Sequence, residues 1–170
     1  MIDPTFEIKP LDKDVHDRAA FSCGEAELDA YLQTQSSQDR KRLSSVIYVG
    51  AVNTSKIIGY YSLSQFSIEL NAIPDDIAKH FSRYPQLPAT LLGRLAVHTE
   101  AQGHGYGEIL LIDSLRRALE VSTKIASCVV VVDVKNDKAR SFYMKYGFIG
   151  VVDVASRLIL PMKTIARMFA

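Results

Sequence analysis

At 170 residues the chain fits one domain, residues 1–170, long enough to bury a single substantial core. Its 20 basic and 19 acidic residues leave a net charge of +1, which excludes the global field of a dedicated nucleic-acid binder and confines any such contact to a local patch. Two distant cysteines, Cys23 and Cys128, exclude a disulfide framework or a zinc site, and no apolar run reaches membrane-spanning length, so a soluble protein in a reducing compartment is expected.

Taken in chain order, residues 6–11 read as a short edge strand closed by Pro10, and residues 12–20 as a brief helix or turn. Ser22 followed three residues later by Glu25 matches a capping box. Leu28, Tyr31 and Leu32 then recur at helical spacing, which predicts a helix through about Gln38. Residues 45–52 and 57–66 are β-rich and joined by Asn53, Thr54, Ser55 and Lys56, the pattern of an antiparallel hairpin. Pro74, Pro85 and Pro88 mark residues 67–90 as a long connection holding one short helix near residues 77–81.

Residues 91–98 read as a strand, followed by a glycine turn and a helix with Ile109, Leu110, Ile112, Leu115 and Leu119 on one face. Four consecutive valines within residues 127–134 predict a strand buried on both faces. Asn136 or Asp137 caps the helix of residues 138–146, Gly147 ends it, and residues 148–154 and 157–162 close the chain as two alternating strands.

The glycine turn carries the most chemistry. In Gln102, Gly103, His104, Gly105, Tyr106 and Gly107, a strand runs through glycines into a helix N-terminus, where backbone N–H groups and the helix dipole favour a phosphate or pyrophosphate. Glu108 and Ile109 follow where a Walker loop requires Lys and Ser or Thr, so a nucleoside triphosphate is not expected. The alternating glycines, late in the chain, also miss the Gly-x-Gly-x-x-Gly dinucleotide fingerprint.

The turn resembles the Gln-x-x-Gly-x-Gly pyrophosphate loop of the GNAT superfamily of acetyl-CoA-dependent N-acetyltransferases. A second segment supports the resemblance: Asn136, Ala139, Phe142, Tyr143, Gly147 and Phe148 match the family's Asn-x-x-Ala-x-x-Phe-Tyr-x-x-x-Gly-Phe pattern in the correct order. Outside this core, residues 21–32, 92–97 and 158–162 are similar to a narrower branch, the GNAT toxins of bacterial toxin–antitoxin pairs. Membership implies an α/β (α+β) GNAT fold: a mixed central sheet with antiparallel N-terminal strands, splayed parallel central strands and helices on both faces. It implies acetyl-CoA as co-substrate, with pantetheine along Leu95, Ala96 and Val97, pyrophosphate on residues 102–107, and Asn136 and Phe142 beside the cofactor. The branch implies acetylation of the α-amino group of an aminoacyl-tRNA in the bacterial cytoplasm, a ribbon-helix-helix antitoxin and a homodimer, with no metal and no membrane.

The resemblance makes Tyr143 the general acid for the departing thiolate, although Phe142, Tyr143, Tyr146 and Phe148 also read as a packing cluster. An α-amino group titrates near about 7.7–8.0 and an adjacent ester lowers that, so no strong protein base is required. His104 departs from the usual lysine or arginine, and Tyr106 from the usual aliphatic residue. His104 reads either as a phosphate donor or as an idle exposed side chain, and His98 either as a helper base or as a strand-end capping residue. Arg94, a charge in an apolar strand, needs an acidic partner or a place beside the acceptor nucleic acid. Arg40, Lys41 and Arg42 form either a tRNA-phosphate patch or a solvated helix end. Two other functions fit the core motifs: a GNAT acting on a small amine or protein, and a non-catalytic co-repressor working with a DNA-binding partner.

Overall fold

Turn chemistry and alternation set the first strands. Val46–Val52 (β2) and Lys56–Glu69 (β3) pair antiparallel from Val46↔Leu63 to Val52↔Lys56, around a turn in which Asn53 and Thr54 take φ values of 49° and 73°. Glu7–Pro10 (β1) adds antiparallel to β2 as an edge strand, where the missing N–H of Pro10 is tolerated. The structure, a computed structural model, describes residues 1–170. Gln86–Val97 (β4), Val129–Asp133 (β5), Ile149–Gly150 (β6) and Arg157–Pro161 (β7) complete a seven-stranded mixed sheet in the order β1-β2-β3-β4-β5-β7-β6. The helices are Ala26–Ala30 (α1), Ser36–Lys41 (α2), Asp75–Ala78 (α3), Tyr106–Ser122 (α4), Asp137–Lys145 (α5) and Met162–Met168 (α6). No helix is long and apolar enough to cross a membrane.

The chain forms two compact units, Met1–Ser64 with Gly93–Ser114 and Gln65–Leu92 with Leu115–Ala170. In the first, Leu11, Phe21, Leu32, Ile47, Val49 and Tyr60 form a buried cluster, each worth about 1.5–3 kcal/mol for an aliphatic or Phe side chain. In the second, Val129, Val131 and Ile159 are wholly buried with Ile68, Ile73 and Leu87. Here β5 pairs parallel with β4 over Ala89↔Val129, Thr90↔Val130 and Leu91↔Val131, and antiparallel with β7 on its other side. The β4–β5 register ends at Leu91, while β4 itself continues to Val97. Two neighbouring parallel strands thus part company near the middle of β4.

Four expectations are corrected. The capping box does not form: Gly24 turns the chain at φ +91°, Glu25 is the N-cap of α1 without a side-chain bond, and Asp29 instead accepts the Cys23 N–H at 2.8 Å. The helix is also not continuous, because a π turn over Tyr31–Gln35 separates α1 from α2. β4 starts at Gln86, five residues earlier than expected, since Pro88 keeps its carbonyl and accepts the Cys128 N–H at 2.8 Å. At the C-terminus, β6 is two residues long, β7 is buried at Leu158, Ile159 and Leu160 rather than alternating, and α6 follows where no element was expected.

One glycine locks the site's scaffold. A Cβ on Gly59 would stand 2.6 Å from Leu110 Cδ1 and 2.7 Å from the Ala96 carbonyl oxygen, and that backbone oxygen has no rotamer to retreat into. Gly59→Ala is expected to lower stability by about 2–3 kcal/mol, the upper part of the overpacking range. A urea midpoint equal to that of the parent chain would show that β3 and β4 are not held this closely.

Candidate active site

The glycine turn is an exposed backbone cradle. Gly103 and Gly105 take φ values of +82° and +91°, a region that only glycine enters freely, and a Cβ at either would meet no atom within 4 Å. Space therefore lies open beside both. α4 begins at Tyr106, and its first helical bond is donated by Ile109 N–H to the Gly105 carbonyl at 3.2 Å. The N–H groups of Tyr106, Gly107 and Glu108 precede that bond, as at any helix start, and can face an anion.

The turn is braced from behind by residues 21–24. Gln102 Nε2 donates to the Cys23 and Val97 carbonyls, both at 2.9 Å, and Thr99 N–H donates to the Ser22 carbonyl at 2.9 Å. The Gln102 side chain thus holds the loop in place. His98 Nδ1 accepts the Glu100 N–H at 3.2 Å and its ring stands edge-on to Phe21, which is the capping arrangement. That nitrogen's lone pair is engaged by the backbone and is not offered to a substrate amine. The Tyr106 ring packs against Phe6, and its hydroxyl accepts the Asp3 N–H at 3.0 Å. His104 is exposed and lines a cavity of about 350 Å3 with His98, Lys56, Asp3 and Glu100.

Leu95, Ala96 and Val97 form the last part of β4, beyond its register with β5. Leu95 and Val97 are half-buried and Ala96 is buried. The N–H of the following residue, His98, is taken by the Ile58 carbonyl on β3.

In the second unit, Asn136 caps α5 by accepting the Ala139 N–H at 2.8 Å, and Gly147 closes the helix at φ +97°. α5 presents Phe142 half-buried and Tyr143 buried, with the Tyr143 ring 5.2 Å from Phe142 and 5.3 Å from Phe148. Burial alone pushes the Tyr143 phenol far above its ordinary range. The phenol accordingly stays protonated across the physiological range. Its oxygen has no hydrogen-bond partner in the chain, and no fully buried side-chain polar atom is unsatisfied, so the hydroxyl reaches the surface.

The basic residues divide. Arg40, Lys41 and Arg42 all line, with Lys13, Arg18, Asp12 and Asp14, a cleft of about 1030 Å3, and Arg40 is also tied to the Leu11 carbonyl. Arg94 is half-buried and makes no ion pair: its guanidinium lies 3.4 Å from the centroid of the Tyr31 ring. Tyr31 is the residue that sequence reasoning missed, because an aromatic at helical spacing reads as core.

The model of the acetyltransferase (GNAT) family matches residues 13–148. A tRNA-acetylating toxin of Mycobacterium tuberculosis is 30% identical over 135 residues, covering 79% of this chain and 80% of the toxin. Among solved structures, AtaT complexed with acetyl-methionyl-tRNAfMet superposes with a TM-score of 0.90 at 28% identity, over 97% of this chain and 99% of that one. A tyrosine-to-phenylalanine mutant of the AtaT toxin, bound to acetyl-CoA and the C-terminus of the antitoxin AtaR, superposes with a TM-score of 0.84 at 26% identity, over 98% and 99%. The chain belongs to the GNAT family of acetyltransferases, and these relatives lie in the family's toxin branch.

Proposed function

We propose that this acetyltransferase moves an acetyl group from acetyl-CoA to the α-amino group of an aminoacyl-tRNA and thereby blocks translation as a toxin. The observation that carries the reading is the turn at Gly103 and Gly105, with two positive φ values, open space on both Cα atoms and a 17-residue helix directly behind it. That is the cradle a pyrophosphate needs. Backbone N–H groups of Gly103, His104, Gly105, Tyr106 and Gly107 hold the pyrophosphate, Gln102 fixes the turn, and Leu95, Ala96 and Val97 offer their strand edge to the pantetheine. Asn136 and Phe142 flank the cofactor from α5.

Acetyl-CoA, when bound, supplies a thioester carbonyl open to attack by an amine. Tyr143 Oη holds a proton and gives it up to the leaving sulfur. No residue is assigned as base, because the amine of an aminoacyl ester is largely uncharged near neutrality. Arg40, Lys41 and Arg42 contact tRNA phosphates from the cleft they line. AtaT captured with acetyl-methionyl-tRNAfMet, and a relative named for tRNA acetylation, favour charged tRNA over a polyamine or a peptide. The reading includes one GNAT domain over residues 1–170, a homodimer, a ribbon-helix-helix antitoxin and a place in the bacterial cytoplasm.

Labelled acetyl-CoA offered with charged tRNA, spermidine or a lysine peptide at equal amine concentration tests the acceptor. Label should pass to charged tRNA alone. Equal transfer to the amine or the peptide would overturn the substrate assignment, and no transfer to any of the three would overturn the reaction.

A further inference from the structure

Arg94 sits on β4 between Leu92 and Ala96, both buried, and shares their face of the strand. It is half-buried and immediately precedes the Leu95–Val97 edge. A guanidinium has five N–H donors. The one hydrogen bond Arg94 makes, from Nη1 to Ser62 Oγ, is long at 3.5 Å, and the ring of Tyr31 covers one of its planar faces at 3.4 Å. A half-desolvated cation normally draws a carboxylate. An acid within its field is Asp39, which makes no ion pair with it and is engaged by other groups: Oδ2 accepts the Tyr31 hydroxyl at 2.8 Å and Oδ1 accepts Gln35 Nε2 at 3.0 Å. Those two bonds, with Arg94 and Arg42 adding their charge, hold the Asp39 carboxyl below its ordinary range.

The π turn makes this possible. Ser36 N–H bonds the Tyr31 carbonyl, one residue wider than in an α-helix, and the segment places Tyr31 and Gln35 on Asp39. The acid is thereby kept off the arginine by a tyrosine hydroxyl, while the same tyrosine ring backs the arginine. We infer that Arg94, seated on Tyr31, is a preformed anion seat for a phosphodiester of the acceptor strand, and that Tyr31 and Gln35 keep the seat open by sequestering Asp39. The inference rests on the proposed tRNA substrate. A seat one residue from Leu95 fixes the acceptor end close to the edge assigned to the pantetheine, and planar, stacked arginine is suited to phosphate.

The test measures binding of charged tRNA to the full chain across a salt series, with Arg94→Gln, Tyr31→Phe and the Tyr31→Phe, Asp39→Asn double variant. Arg94→Gln should weaken binding about 10- to 100-fold, the scale of one charged hydrogen-bonded contact. It should also reduce the slope of log K against log salt by about 0.7–0.9, the signature of one lost phosphate contact. Tyr31→Phe removes a single hydroxyl, frees Asp39 to neutralise Arg94 and should weaken binding too. Adding Asp39→Asn should restore it. An unchanged slope in Arg94→Gln overturns the inference, as does a double variant no better than Tyr31→Phe, which answers the question even if Arg94→Gln misfolds. A wild-type chain that binds no charged tRNA overturns both this inference and the proposed substrate, whereas wild-type binding with an unaffected Arg94→Gln overturns the inference alone.

Discussion

Tyr143→Phe is expected to lower kcat for acetyl transfer by about 10²–10⁴-fold, the usual contribution of a positioned general acid, with little change in the KM for acetyl-CoA. The variant should fold normally, because the hydroxyl has no hydrogen-bond partner in the chain and the ring contacts to Phe142 and Phe148 remain. The pH dependence separates roles. Burial holds the phenol protonated well above its ordinary range, so Tyr143 adds no falling limb between about pH 6 and 9. The rate of the parent chain should rise with pH as the substrate amine loses its proton, then level off. The Phe variant should keep that rising limb at its reduced height. Full activity in a folded Tyr143→Phe chain, measured by single-turnover transfer, would remove Tyr143 from the chemistry and leave it as packing.

The second large effect is expected at the cradle. Gly105→Val puts a β-branched residue at φ +91°, which costs about 1–2 kcal/mol for a left-handed conformation, more for a branched one. No atom obstructs the new side chain, so the damage is to the backbone path and not to packing. When the turn re-forms in an allowed conformation, its N–H groups no longer converge. Losing two charged hydrogen bonds should raise the KM for acetyl-CoA by roughly 100-fold or more. Urea stability should fall by no more than for Gly59→Ala, since the exposed turn can re-form without disturbing the core. An unaltered KM in isothermal or steady-state measurements would mean that the turn does not bear the cofactor.

The parts of this fold visible in the sequence are those governed by one residue and its immediate neighbours. Positive φ requires glycine at 103, 105 and 147, an asparagine side chain caps α5 three residues on, and four valines report a strand buried on both faces. What stayed hidden depends on distant partners. Pro88 reads as a strand breaker until its carbonyl is seen to serve Cys128, and the capping box at Ser22 reads as a helix start until Gly24 is seen to turn the chain. α6 starts directly after Pro161, the last residue of β7, and the apolar run through Met162 reads as the end of a strand and not as a helix start.

The same contrast holds at the site. The turn is legible as a phosphate cradle, whereas its support is not: Phe21, Ser22 and Cys23 lie about 80 residues away in sequence yet hold His98, Thr99 and Gln102. A segment that resembles the toxin branch is therefore one that braces the glycine turn. Arg94 was expected to need an acid or a nucleic acid, and the structure gives it an aromatic ring, with the acid held one hydroxyl away.

The most direct measurement is the chemical identity of the product. Charged tRNA is incubated with the chain and labelled acetyl-CoA, digested to nucleosides, and the labelled species is identified by mass spectrometry. The account predicts a single labelled product, an N-acetyl-aminoacyl-adenosine, formed by the parent chain and strongly reduced with Tyr143→Phe. Label found on a nucleobase, on the protein's own lysines, or on no nucleoside at all would contradict it.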